Sequence, residues 1–270
     1  VGAEQHAPIA AALKALKGSA DLTPHVARVL DQGVSETCWA HSAAALKYVF
    51  DAQRGPVHLP ETPVLQSPLY FAQTLYAVYR AQQNPTGDLP DLQDTGAQLD
   101  DACRAFAQWG SQPFGTPQQS GDTDMPATQD DMGNAIAVPE LEVIAVETGA
   151  TVPFGGPYDV KTGSSAGDLV AASLEAGVGV WTGNLVGQAY QALGPGDVAQ
   201  TCPTSDPSAG GHAQAILGYK TAPINGTLVR LYKVLNSWGK SWCMGGYCWA
   251  SEDWVCNAWS LIPFTDGGAS

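Results

Sequence analysis

Basic residues are scarce in this chain. Twelve Lys and Arg stand against 26 Asp and Glu, a formal net charge of −14 over 270 residues. A protein so acidic has no basic face for a phosphate backbone, which excludes nucleic-acid binding, and it is repelled by anionic membranes. No apolar run approaches the roughly 20 residues needed to span a bilayer. No Cys-x-x-Cys pair occurs, so the usual zinc-site spacing is missing and no metal is expected. Nor is any cofactor expected. An initiator Met is also missing, because the sequence begins at Val1. That reads as a processed or truncated form, with a signal peptide or propeptide upstream. The stretch from Ile9 to Leu16 is too short and too interrupted to be a secretory signal itself.

What is present concentrates in three places. The first is Asp31-Gln32-Gly33-Val34-Ser35-Glu36-Thr37-Cys38-Trp39-Ala40-His41-Ser42. Thr37 reads as an N-cap, which puts Cys38 in the first turn of a helix running to Phe50 and stopping near Gly55-Pro56. A free thiol is mostly protonated at neutral pH. The partial positive charge of a helix N-terminus favours the thiolate, and a neighbouring imidazolium favours it further. The second place is Gly210-Gly211-His212-Ala213, where His212 would be that partner and the later proton donor to a leaving amine. The third is Asn236-Ser237-Trp238-Gly239, whose Asn236 would hold the imidazole by its other nitrogen. Each piece alone has an ordinary structural reading. A lone cysteine in an alanine-rich helix is usually a small buried hydrophobe, and a histidine after two glycines is usually structural.

Taken together, the order Gln, Cys, His, Asn-Ser-Trp resembles the papain-like cysteine peptidases, from about Asp21 to Phe264. His212 stands 174 residues after Cys38, Asn236 stands 24 after His212, and Gln32 lies six before Cys38. The resemblance implies an α+β, two-lobed fold with the active site in the cleft between a helical lobe and a β-barrel-like lobe. It implies that the Gln32 side chain and the Cys38 N–H stabilise the oxyanion, and that Trp238 shields the Asn–His hydrogen bond at the edge of the substrate site. It implies backbone recognition of an extended substrate by Gly96 and Ala97, although Ala97 replaces the usual glycine. Gly211 would lie on the wall of the main selective pocket and leave it roomy, open to bulky apolar residues. A disulfide between Cys202 and Cys256 is also implied. Cys243 and Cys248 bracket a turn that suits a local bridge, with free thiols on neighbouring strands as the alternative. Two bridges would indicate an oxidising compartment, hence a secreted or periplasmic protein. Cys103 is expected as a buried free thiol.

The chain departs from the family pattern at Ser35-Glu36-Thr37, where Cys-Gly-Ser is usual. The disulfide of that loop is therefore missing, and the loop must be held in another way. His41 replaces a common phenylalanine and is expected to pack, or to complete a hydrogen bond in the core.

The organisation expected is an N-terminal extension over 1–20, a helical lobe over 21–134 and a β-rich lobe over 135–270. Ser67-Pro68 opens a second helix. A third carries Leu99, Ala102, Cys103 and Phe106 on one face. Residues 111–133 read as a long surface loop; its aspartates fail the EF-hand spacing for calcium. Strands are expected at 138–148, 178–182, 212–219, 228–236, 247–250 and 259–263. A short helix over 168–177 ends on a glycine, and an Asn225-Gly226 hairpin brings His212 towards Asn236. The function implied is a cysteine endopeptidase acting on polypeptides as a monomer, with a propeptide or protein inhibitor able to occupy the cleft. The alternatives are a non-proteolytic acyl-transfer enzyme (an amidase, deamidase or transglutaminase-like activity) and a binding module that uses the cleft.

Overall fold

A computed structural model describes residues 18–54, 68, 72, 96–103, 166–224 and 227–264. The elements, in chain order, are β1 (Ser19–Asp21), a 3-10 turn (Thr23–His25), α1 (Cys38–Arg54), α2 (Ala166–Glu175), β2 (Val180–Val186), α3 (Gln188–Gln191), β3 (Val198–Ala199), β4 (Gly210–Ile224), β5 (Thr227–Leu235), β6 (Tyr247–Ser251), α4 (Glu252–Cys256) and β7 (Ser260–Pro263). Residues 99–103 form a further helical segment. The result is a mixed α+β fold. The strand expected at 138–148, the loop at 111–133, the boundary at 134 and most of the second helix lie outside the described residues.

The sheet runs β3-β6-β5-β4-β2-β7, and β1 also pairs with β4. β4 organises it. Residues 210–216 of β4 pair with β2, and residues 218–220 pair with β1 on the same edge. β5 occupies the opposite edge. The β4–β5 register runs to Ile224 opposite Thr227, and the turn expected at Asn225-Gly226 lies outside the described residues. Between Ile216 and Gly218 the register shifts by one, a β-bulge. There the Leu22 N–H donates to the Leu217 carbonyl at 2.7 Å, and the chain at β1 passes so close that a side chain at Gly218 would meet the Ala20 carbonyl at 2.9 Å. The 1–20 extension therefore ends inside a strand of this sheet.

α1 is the central helix. From Cys38 to Leu46 every residue is buried. Ala40, Ala43 and Ala44 keep that face narrow, so the helix packs closely on β4 and β2. Gly179, at the head of β2, leaves room for the Leu46 side chain. One polar contact fixes the helix along its axis. Trp181 of β2 donates its indole N–H to Ser42 Oγ at 2.7 Å, and Ser42 Oγ donates to the Cys38 carbonyl at 2.8 Å. α2 ends as its glycine predicts. Gly177 has φ +79°, its N–H reaches the Leu174 carbonyl, and the Val178 N–H reaches that of Ser173, a Schellman closure.

Candidate active site

Cys38 opens α1. The Thr37 carbonyl accepts the N–H groups of Ala40 and His41, so the helix starts where the sequence places it. The Cys38 side chain is 9% exposed and faces β4, whose Ala213 N–H donates to Sγ at 3.3 Å. The sulfur thus sits between two sources of positive charge, the α1 N-terminus and a strand amide.

His212 precedes Ala213 on β4 and is buried. Its Nε2 lies 2.7 Å from Asn236 Oδ1, just beyond the end of β5. The Ser237 N–H also donates to that oxygen, at 2.8 Å, which settles the amide's orientation. Nε2 must then carry the proton, and Nδ1 is left free to exchange one. The hairpin is what brings residues 212 and 236 together. Burial pushes the His212 pKa down to about 4, and the Asn236 bond opposes that shift. An isolated imidazolium is therefore disfavoured here, and a neighbouring negative charge would favour it. The two charges form most readily together. Trp238 stacks on the imidazole, ring centroids 4.7 Å apart at 21°. Tyr190 and Trp242 back it at 5.8 and 5.5 Å. The structure places Trp238 behind the histidine rather than in the cleft lining.

The loop before Cys38 has no disulfide and is held by hydrogen bonds. Gln32 Nε2 donates to the Ser35 carbonyl at 2.6 Å, Ser35 Oγ donates to the Gln32 carbonyl at 2.7 Å, and Ser35 Oγ meets Thr37 Oγ1 at 2.5 Å. A second set ties the loop to the asparagine segment. The Gln32 N–H reaches the Ser237 carbonyl at 2.8 Å, Asp31 bridges to Trp238, and Ser237 Oγ donates to Gln32 Oε1 at 2.5 Å. Ser237 is thus a site residue that sequence reasoning passed over; its place inside the Asn-Ser-Trp string was the available signal.

Cys38 and His212 line a cleft of about 600 Å³. Glu36, Trp39, Gly96 and Ala97 form one wall, and Gly183, Gly211 and Trp259 form the other. Gly96 holds φ +74°, which suits glycine. Gly211 lines the cleft, but the space beside it is not open. The Trp259 indole lies over it, with Cη2 3.1 Å from where a Cβ would stand, and the same ring covers Gly183. Trp259 is half exposed at the cleft, although in the sequence it marks only the start of a strand.

The disulfide expectations fail. None of the six cysteines is in a disulfide. Cys202 turns into its own loop, its Sγ 3.8 Å from Asp206 Oδ2, whereas Cys256 closes α4 beside Gly167 of α2. Cys243 has φ +43° and donates to the Gly194 carbonyl at 3.3 Å. Cys248 points the other way, buried 3.5 Å from the Tyr190 hydroxyl, where desolvation raises its pKa to about 12. The argument for an oxidising compartment goes with these bridges. Cys103 is buried and in no disulfide, as expected.

No family model and no curated protein matches the sequence. Solved structures do match. Xylellain, a cysteine protease from Xylella fastidiosa, superposes with a TM-score of 0.66 at 21% identity, over 94% of this chain and 87% of that one. Digestive procathepsin L 3 of Tenebrio molitor larval midgut gives 0.61 at 20% identity, over 93% and 70%. The bromelain protease from Ananas comosus, in complex with the E64 inhibitor, gives 0.58 at 17%, over 92% and 98%. The chain has the fold of the papain-like cysteine proteases.

Proposed function

We propose that this chain is a cysteine endopeptidase with Cys38 as nucleophile, His212 as general acid and base, and Asn236 as the group that orients the imidazole. One observation carries the reading: a thiol at a helix N-terminus shares a cleft with an imidazole whose far nitrogen is fixed by an amide oxygen. The Cys38 proton passes to His212 Nδ1 while Nε2–H stays on Asn236. The thiolate attacks the peptide carbonyl carbon, and the oxyanion takes the Cys38 N–H and the second N–H of Gln32 Nε2. On collapse, His212 returns its proton to the leaving amine. Water, activated by the same imidazole, then hydrolyses the thioester.

An extended polypeptide would lie along Gly96 and Ala97, with side chains meeting Gly211 and Trp259; Trp238 acts behind the histidine. A cleft of this shape also suits a propeptide or a protein inhibitor, and the chain would act as a monomer in a secreted or periplasmic setting. Among the described residues no helix is long and apolar enough to cross a membrane. The test is mass spectrometry of an unstructured protein incubated with the enzyme, with Cys38→Ala as control. Peptide fragments formed only by the unaltered enzyme are expected. Loss of ammonia without fragments would point to an amidase or deamidase, and equal cleavage by Cys38→Ala would remove the proposal.

A further inference from the structure

Two glycines in the cleft are there for a reason other than backbone freedom. Neither Gly183 of β2 nor Gly211 of β4 has a positive φ, so the backbone at both accepts an L-residue. What excludes a side chain is the Trp259 indole. A Cβ on Gly183 would stand 2.4 Å from Nε1, 2.9 Å from Cε2 and 3.2 Å from Cδ1 of that ring. A Cβ on Gly211 would stand 3.1 Å from Cη2 and 3.4 Å from Cζ2. The pyrrole end of the indole thus rests on one glycine and the benzene end on the other.

The strand beneath the ring is held on both edges. Gly183 pairs with Ala213 of β4 on one side and with Ser260 of β7 on the other. The Trp259 N–H donates to the Gly183 carbonyl at 3.0 Å, which fixes the backbone of the tryptophan as well. The indole is half exposed, and it lines the cleft of Cys38 and His212 together with the two glycines. Its room to move is therefore on the side turned away from the glycines. An alanine at 183 must push the ring by roughly 1 Å to restore ordinary contact between heavy atoms. An alanine at 211 meets the ring at a distance that a few tenths of an ångström relieve.

We infer that Gly183 and Gly211 are positioning residues for Trp259 and set the specificity of the cleft through it. Together they recess the indole against the sheet, and the depth of that recess decides how thick a side chain an extended polypeptide can lay between the ring and the wall of Gly96 and Ala97. A ring raised from its seat excludes a bulky apolar side chain before it excludes a small one. The substrate half of this inference rests on the peptidase reading; the seat itself does not.

Two measurements test it. A crystal structure of the Gly183→Ala protein should show the indole displaced by roughly 1 Å towards Gly96 and Ala97, with β2 unmoved. A ring left in place, or swung out of the cleft, would overturn the seat. The second is cleavage of paired peptides that carry phenylalanine or alanine, in turn, at each position near the cut. At the position that meets the ring, Gly183→Ala should raise KM for the phenylalanine peptide about tenfold, part of what burying that side chain is worth. The alanine peptide should be affected far less, and kcat less than KM. Gly211→Ala should act in the same direction by about twofold, because its overlap is smaller. Once Trp259 is replaced by alanine, adding Gly183→Ala should change nothing further. Equal losses for both peptides would mean general damage, and an effect of Gly183→Ala that persists without the indole would mean another route; either refutes the role. A wild-type protein that cuts no peptide, and whose Cys38 is not alkylated by the matching peptidyl chloromethyl ketones, would defeat the peptidase reading instead. The substrate half would fall with it, and the crystal structure alone would decide the seat.

Discussion

The protein should lose stability between pH 7 and pH 5 because of two histidines. His41 and His212 are both buried, and burial lowers each from an ordinary 6.5 to about 4. In the unfolded chain each takes up a proton as pH falls through 6.5; in the folded protein it does so only near 4. The unfolded state therefore binds more protons in that window, and the stability present above pH 6.5 is lost as pH falls towards 4. At about 1.4 kcal/mol per pKa unit, each histidine costs roughly 2 kcal/mol by pH 5 and about 3 once both states are protonated. Together they should remove about 4 kcal/mol between pH 7 and pH 5, a large part of an ordinary domain's stability. Urea unfolding of the Cys38→Ala protein, which cannot digest itself, measures this at pH 7, 6 and 5. His41→Phe should roughly halve the pH dependence, whatever it does to stability at pH 7. A midpoint that stays level from pH 7 to pH 5, or rises, would refute the reasoning.

Three further outcomes are expected. Gln32→Ala should lower kcat by roughly 10²–10³ if its amide serves the oxyanion; Ser237→Ala should cost about threefold to tenfold by loosening it, and the double variant should be no worse than Gln32→Ala. Additive losses would separate the two residues. Trp259→Ala should raise KM for substrates with apolar side chains by about tenfold or more, because burial against the indole is lost, with kcat less affected; an unchanged KM would mean that substrate does not touch that wall. Alkylation of the unfolded, unreduced protein should find six free thiols, and a linked Cys202–Cys256 peptide would overturn that count.

The features legible in the sequence were those set by neighbours along the chain. Thr37 before Cys38 marks a helix start because a cap is a contact of three or four residues. Gly177 marks a helix end because its left-handed backbone is local. Two neighbouring strand patterns pair in a β4–β5 register, and the register carries His212 towards Asn236 across 24 residues. These three features order the nucleophile, the imidazole and the amide without any knowledge of the core.

The cysteines and Trp259 obey a different rule. A disulfide needs two Cβ vectors aimed at each other, and spacing says nothing about aim. Cys243 and Cys248 sit across a tight turn, yet the positive φ of Cys243 sends its sulfur to Gly194 while strand alternation sends Cys248 into the core. Trp259 becomes part of the cleft only because β7 pairs with β2, which brings the indole over Gly183, and because β4 pairs with β2 as well, which brings Gly211 beneath the same ring. Neither glycine looks functional in sequence; each has its meaning from a side chain far away in the chain. His41 joins both rules. Its helical position, one turn after Cys38, is readable from spacing, and that alone suggests a packed core residue. Its Nδ1 lies 2.9 Å from the Thr37 carbonyl one turn back, a contact that the helical position allows and that ties the ring to the start of α1. What spacing leaves open is which partner each atom of a buried side chain meets in the fold.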